Sequence, residues 1–178
     1  LYVRLPHHQP RATDFIARQQ AHPFFLYLGT HDPHVPRMPH PRFRGKSQAG
    51  MRGDAIVQLD WLVGEVLAAL ATHGLERNTL VLFTSDNGPV LFDGYYDGAT
   101  EANGTHKPAG GLRGWKYLRY EGGTRVPLLA RWPGHVPAGV TSTEMFSLLD
   151  VFATTVSLLG QPLPARAGTD GLDLSAAL

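Results

Sequence analysis

Cysteine is absent from the 178 residues, which excludes disulfides, thiolate metal sites and a cysteine nucleophile within this chain. No uninterrupted apolar run is long enough to span a bilayer, so no membrane span is expected. The N-terminal LYVRLPHHQP lacks the basic, apolar and cleavage-site order of a secretory signal. Net charge is almost missing: 16 Lys and Arg face 15 Asp and Glu, so the whole-molecule field gives no ground for nucleic acid or an anionic membrane as a partner. Neither G-x-G-x-x-G nor G-x-x-x-x-G-K-[ST] occurs, and nucleotide binding has no positive support.

What is present reads as one globular domain with a real core, with no internal repeat and no second domain. The start without Met and the early entry into an apolar run are those expected of a segment of a longer protein. A polar lead-in is expected to be helical from Ala12 to Gln20. Pro23 is followed by FFLYLGTH, which predicts a buried strand over Phe24 to Gly29. The loop from His31 to Phe43 carries Pro33, Pro36, Pro39 and Pro41 and is expected to be irregular. Ala55, Ile56, Leu59, Leu62, Val63, Val66, Leu67 and Leu70 recur at three- and four-residue steps, with Gly74 at a suitable C′ position, and predict a long helix. Leu80 to Phe83 is a short continuous apolar run of the kind found in parallel strands covered on both faces. Strand, helix and strand in this order predict a βαβ unit with a right-handed crossover.

Gly88-Pro89 forbids continuation of that second strand, so Asp86 and Asn87 sit at its carboxyl end, on the rim where open α/β sheets bind ligands. About forty residues rich in Gly, Tyr and charge then intervene before Val126 to Trp132, and connections of that length are often functional. WPGHVPAG reads as a turn, Met145 to Leu159 as a closing amphipathic helix, and the Pro- and Gly-rich tail from Gln161 as a linker.

Three places carry chemistry. Asp86 and Asn87 supply hard oxygen donors suited to Ca²⁺ or Mg²⁺, although an Asp-Asn-Gly-Pro turn that merely ends a strand has the same composition. THDPHVP places His31 and His34 beyond the other strand, where an imidazole can protonate a leaving group or hydrogen-bond an anion; exposed loop histidines are the plainer alternative. In GLRGWKYLRYEGGTRVP, Lys116 lies in a Gly-rich segment where its ammonium can meet a tetrahedral oxyanion as a point charge. Between His106 and Arg125, Lys107, Arg113, Lys116, Arg119 and Arg125 face Glu121 alone. That patch suits a small anion, and a solvated basic loop is its simpler reading.

Taken in order, FFLYLGTHDPHVP, LVLFTSDNGP and LRGWKYLRYEGGTRVPLLARWPG resemble the sulfatase family, the arylsulfatase and carbohydrate-sulfatase group of the alkaline-phosphatase-like superfamily. The likeness runs from about Pro23 to the tail, where GTDGLDLSAAL resembles the D-G-x-D-L segment that follows the catalytic domain. It implies an α/β fold with a mostly parallel sheet flanked by helices, incomplete in this chain. Residues 1–160 would then be part of a catalytic domain and 161–178 a linker toward a further C-terminal subdomain. By resemblance, Asp86 and Asn87 complete a Ca²⁺ site, and His34 and Lys116 contact the sulfate and the leaving-group oxygen. His31 lies nearby, and His106 and Lys107, in NGTHKPAGGLRG, become candidates for sugar recognition.

The implied reaction is hydrolysis of a sulfate ester on a small molecule or glycan. The nucleophile is a hydrated formylglycine made from Cys or Ser in a C/S-x-P-x-R motif, and Ca²⁺ and the cationic side chains stabilise the transferring group. No such motif is present, nor is the paired-aspartate strand that supplies the other calcium ligands, so the nucleophile is in none of these residues and the segment alone is expected to be inactive. An extracytoplasmic location follows from the resemblance only. Competing expectations are a phosphoryl hydrolase of the same superfamily and a non-catalytic anion- or glycan-binding remnant that keeps the pocket without the nucleophile.

Overall fold

The computed structural model describes residues 8–178, which group into two compact units. One comprises the chain to Glu76 together with Gly88–Thr124, and the other comprises Arg77–Asn87 with Arg125–Leu178. The sequence itself carries no sign of this division.

The first unit is built on two helices, α1 (His8–Gln19) and α2 (Gly50–Thr72). Ala12 and Ile16, four residues apart on one face of α1, are buried, and the two helices pack on each other. The expected helix over 12–20 thus starts earlier. The stop of α2 follows the predicted glycine: Gly74 takes φ +67°, its N–H bonds to Ala71 O, and Leu75 N–H bonds to Leu70 O. This is the paired arrangement that satisfies the last carbonyls of a helix, and it needs a residue free of Cβ at that φ. By length and apolar composition α2 would also pass for a membrane-crossing helix. Its buried stripe, however, holds Arg52, Asp54 and Gln58 beside Ala55, Leu62 and Leu70, and two of those polar side chains organise the chain before the helix. Asp54 accepts from the amides of Gly45 and Ser47, both at 2.8 Å. Gln58 accepts from His40 N–H at 2.8 Å and donates to Asp32 Oδ2 at 2.7 Å.

The predicted strand at Phe24–Gly29 is not one. Its exposure alternates, with Phe24, Leu26 and Leu28 half-buried and Phe25 and Tyr27 exposed, but no described strand pairs with it. Continuous hydrophobicity is no substitute for a hydrogen-bonded neighbour. The βαβ unit expected from it is accordingly absent among the described residues. The long connection after Asp86 is also less bare than expected: single-turn helices α3 (Ala99–Ala102) and α4 (Glu121–Thr124) interrupt it.

In the second unit, β1 (Val81–Thr84) pairs with β2 (Leu128–Arg131) antiparallel, Val81 opposite Arg131 and Thr84 opposite Leu128. The parallel pairing predicted from the run at Leu80–Phe83 is therefore not seen among the described residues. The closing helix α5 (Asp150–Leu158) begins five residues later than its apolar pattern suggests. Ser147 explains the start: its hydroxyl accepts from Leu149 N–H at 3.2 Å while Asp150 reaches back to Ser147 N–H at 2.6 Å, a reciprocal cap that fixes the first turn. The tail folds back on α5, with Leu172 N–H donating to the buried Asp150 and Leu174 N–H to Thr154 Oγ1.

Gly88, Gly122 and Gly123 bring two backbones of the first unit into direct contact. Gly88 N–H bonds to Gly123 O at 2.8 Å and Gly122 N–H to Arg113 O at 2.7 Å. A Cβ on Gly122 would strike the carbonyls of Gly114 and Arg113, and one on Gly88 would strike Gly122 O. Backbone cannot yield as a side chain tip can, so Gly122→Ala is expected to cost about 1–3 kcal/mol, the range of overpacking. The urea midpoint of the folded protein reads this loss, and an unchanged midpoint would contradict the tight approach.

Candidate functional site

Three segments of the first unit meet at one group of side chains. His34 comes from the proline-bounded loop after Thr30, Asp93 from the segment after Gly88, and Lys116 from the Gly-rich stretch that α4 ends. Lys116 Nζ lies 2.7 Å from Asp93 Oδ2 and 3.1 Å from His34 Nε2, although 82 residues separate Lys116 from His34. His34 Nε2 is 3.2 Å from the same Asp93 oxygen.

Backbone contacts place the three. Lys116 N–H bonds to Pro89 O at 3.1 Å, tying the lysine to the turn that begins at Gly88. Arg37 does the same for the histidine loop with a nearly fully buried guanidinium, 2% exposed. Its Nε donates to Pro33 O, Nη1 to Leu91 O and to both oxygens of Asp97, and Nη2 to Val90 O, all between 2.9 and 3.1 Å. One planar fork thereby joins residues 33–37 to residues 90–97, a task the guanidinium's fixed donors suit and an ammonium does not. Arg52 lies close by: burial first, then the Arg37 charge, hold its pKa below the ordinary arginine value, against the pull of Asp97.

Hydrogen-bond geometry assigns the protons. His34 Nδ1 is 2.8 Å from Val35 O, a carbonyl that only accepts, so Nδ1 carries hydrogen. In the neutral ring Nε2 is then an acceptor and takes a proton contact from the Lys116 ammonium. When Nε2 is protonated, it donates to Asp93 instead. Side-chain exposure grades across the group, 9% for Asp93, 18% for Lys116 and 56% for His34, so the carboxylate is the anchored end and the imidazole the open one. The arrangement presents two cationic or proton-donating groups on a shared acidic base, which suits binding an anionic group and protonating an oxygen that leaves it.

His31 stands beside this group, its ring centroid 6.1 Å from that of His34 and its Nε2 3.3 Å from Pro36 O. His106 and Lys107 are exposed on a turn closed by Asn103, whose Nδ2 donates to His106 O at 2.6 Å. No hydrogen bond or ion pair joins either of them to His34, Asp93 or Lys116 among the described residues. Asp86 and Asn87 follow β1 at the end of their stretch of the second unit. Asp86 is exposed, and Ser85 Oγ donates to Asn87 O at 3.1 Å. Among the described residues no group of three or more His, Cys, Asp or Glu side chains is placed to hold a metal ion. A carboxylate and a carboxamide oxygen at one strand end fit a hard cation in kind, and they cover two of the roughly six to eight oxygens calcium takes.

Asp93 and Arg37 were not legible as site residues in the sequence. F-D-G reads as a turn and P-R-M-P as more of a proline-rich loop. The one available signal was an arginine flanked on both sides by prolines in a loop between two strongly apolar stretches.

A histidine, a lysine and a carboxylate brought together on loops form a group able to hold an anion. The family is shown directly by comparison: the sulfatase family model matches residues 9–161, and the chain belongs to the sulfatase family. It is 51% identical over 160 residues to an N-acetylgalactosamine-6-O-sulfatase of Bacteroides thetaiotaomicron, covering 90% of this chain and 31% of that protein. Against the N-acetylgalactosamine-6-sulfatase of Sus scrofa it is 43% identical, covering 94% of this chain and 31% of the relative. A solved structure concerned with metabolism of multiple glycosaminoglycans by Bacteroides thetaiotaomicron superposes with a TM-score of 0.90 at 49% identity, over 94% of this chain and 35% of that one. The chain therefore spans about a third of the length of these relatives. Its fold class is that of the alkaline-phosphatase-like sulfatases, present here as a partial α/β domain.

The Arg37–Asp97 pair offers a direct check on how the site is held. Both side chains are at most 6% exposed, and removing one member of such a pair leaves the other charge buried, at a cost of about 3–5 kcal/mol. Arg37→Met is expected to show a loss of that size in chemical denaturation. A variant as stable as the parent would mean that the fork does not hold these loops.

Proposed function

We propose that the whole protein of which this chain is a segment hydrolyses sulfate esters on a sulfated carbohydrate, with 6-O-sulfated N-acetylgalactosamine the first substrate to test. The observation that carries this reading is the approach of Lys116 Nζ to His34 Nε2, 3.1 Å across 82 residues of chain, in a member of the sulfatase family. The names of the relatives supply the sugar.

In this reading the Lys116 ammonium holds the sulfate oxygens. Two of its three protons face Asp93 and His34, and the third is free for the substrate. His34 and Lys116 between them carry the proton taken by the ester oxygen as the sulfur–oxygen bond breaks. The more open imidazole is the better placed for the departing sugar. His31, His106 and Lys107 are assigned to the sugar side. Asp86 and Asn87 would supply two of the ligands of a Ca²⁺ ion, whose chemistry when bound is that of a Lewis acid. The nucleophile is a formylglycine supplied by sequence other than these residues.

Residues 1–160 form part of the catalytic domain in this reading, and 161–178 lead toward a C-terminal subdomain; the family match ending at residue 161 supports the division. Exposed apolar side chains such as Phe25, Tyr27, Leu129 and Met145 are the surface expected of a partial domain. An extracytoplasmic location belongs to the same reading.

The test uses the full-length protein on 6-O-sulfated N-acetylgalactosamine and on the matching 6-phosphate, with released anion measured directly. Faster sulfate release is expected, and Lys116→Ala should lower kcat/KM by about 10²- to 10³-fold, the usual loss for one preorganised donor to a transferring group. Faster phosphate release would assign the protein to phosphoryl hydrolysis. Release of neither anion would leave a binding protein.

A further inference from the structure

We infer that Asp93 is the positioning residue of this site: it fixes the Lys116 ammonium against His34 and so decides which of the two holds the mobile proton. The inference rests on the functional reading above for its kinetic consequence, while the contact itself stands on geometry alone.

Asp93 is a poor choice for a residue whose only task is to attract an anion, since its negative charge opposes that of any sulfate held by Lys116 and His34. Its placement is accordingly informative. A single oxygen, Oδ2, lies 2.7 Å from Lys116 Nζ and 3.2 Å from His34 Nε2. The side chain is 9% exposed, so the contact is sheltered and charge-assisted, the stronger class of hydrogen bond. A lysine stem has four rotatable bonds and loses rotamer entropy when fixed. Here Asp93 provides the restraint before substrate arrives. The remaining contacts of the ammonium are the exposed Tyr117 ring, 5.3 Å from Nζ to centroid, and His34 Nε2 at 3.1 Å. Neither carries a charge opposite to that of the ammonium, whichever protonation state the imidazole holds.

The same oxygen couples the two proton carriers. With Nδ1–H bound to Val35 O, Nε2 alternates between accepting from Lys116 and donating to Asp93. In the first state the proton is on the ammonium, and in the second on the ring. Transfer of one proton from Nζ to Nε2 leaves a neutral amine and an imidazolium, both still hydrogen-bonded to Asp93 Oδ2, so charge and proton count balance without any further reactant. No other described carboxylate is within ion-pair distance of either group.

Two measurements on the full-length protein test the inference. In steady-state hydrolysis of 6-O-sulfated N-acetylgalactosamine, Asp93→Asn is expected to lower kcat about 10- to 100-fold while KM stays within about threefold, the pattern of a supporting residue that orients a primary one. Asp93→Glu should recover part of the rate. In the Lys116→Met background the same substitution should cost little, since residues that act through one another are not additive. A raised KM with unchanged kcat would make Asp93 a sugar contact, and a fully additive loss would make it independent of Lys116; either result overturns the proposal.

The second measurement needs no turnover. In the lysine-ammonium ¹⁵N–¹H spectrum, Lys116 is expected to give a slowly exchanging signal that Asp93→Asn removes. A protein that releases no sulfate yet loses that signal defeats the hydrolase reading and leaves the Asp93 contact standing. A signal that survives the substitution defeats the contact.

Discussion

The Arg37 guanidinium is the constraint on which the site depends. It is buried, it satisfies carbonyls on both sides of itself in space, and it places its charge on Asp97. Gln58 also anchors the loop that carries His34, donating to Asp32 Oδ2 and accepting from His40 N–H, but it ties that loop to α2 and not to the 90–97 segment. The prolines of that loop restrict its own backbone but do not attach it to anything. Attachment to the 90–97 segment is what brings an imidazole from one part of the chain to a carboxylate and an ammonium from two others.

A second constraint acts from the opposite side. Gly88, Gly122 and Gly123 let the backbone before Pro89 touch the backbone around α4, and Lys116 is hydrogen-bonded to Pro89 in the middle of that contact. Glycine is required there for space, since carbonyl oxygens of the facing backbone occupy the positions a Cβ would take. Stability and placement are one requirement at these positions: a larger residue would move the lysine as well as weaken the fold.

Much of this was legible in the sequence, for identifiable reasons. The three-and-four spacing of Ala55 to Leu70 and the glycine after it define α2 and its end, because a helix is stabilised by its own backbone and one apolar stripe. His34 and Lys116 were legible as residue types in unusual loops. The run FFLYLG misled because extended apolar chain becomes a strand only beside another strand, and the sequence of the run says nothing of its neighbour. Met145 to Leu149 misled for a different reason: Ser147 caps, and hydrophobicity cannot continue a helix backward through a cap. Asp93, Arg37, Asp54 and Gln58 were invisible as organisers, since a polar residue that holds a loop through its hydrogen bonds looks in sequence like any solvated polar residue.

One side chain, Arg37, holds two distant loops as a single platform. Amide hydrogen exchange in the full-length protein, comparing the parent with Arg37→Met, tests it most directly. Faster exchange in both residues 30–40 and residues 89–97, with the C-terminal half of α2 unaffected, is the predicted result. Faster exchange confined to residues 30–40 would contradict it, because the segment carrying Asp93 would then be held by something else.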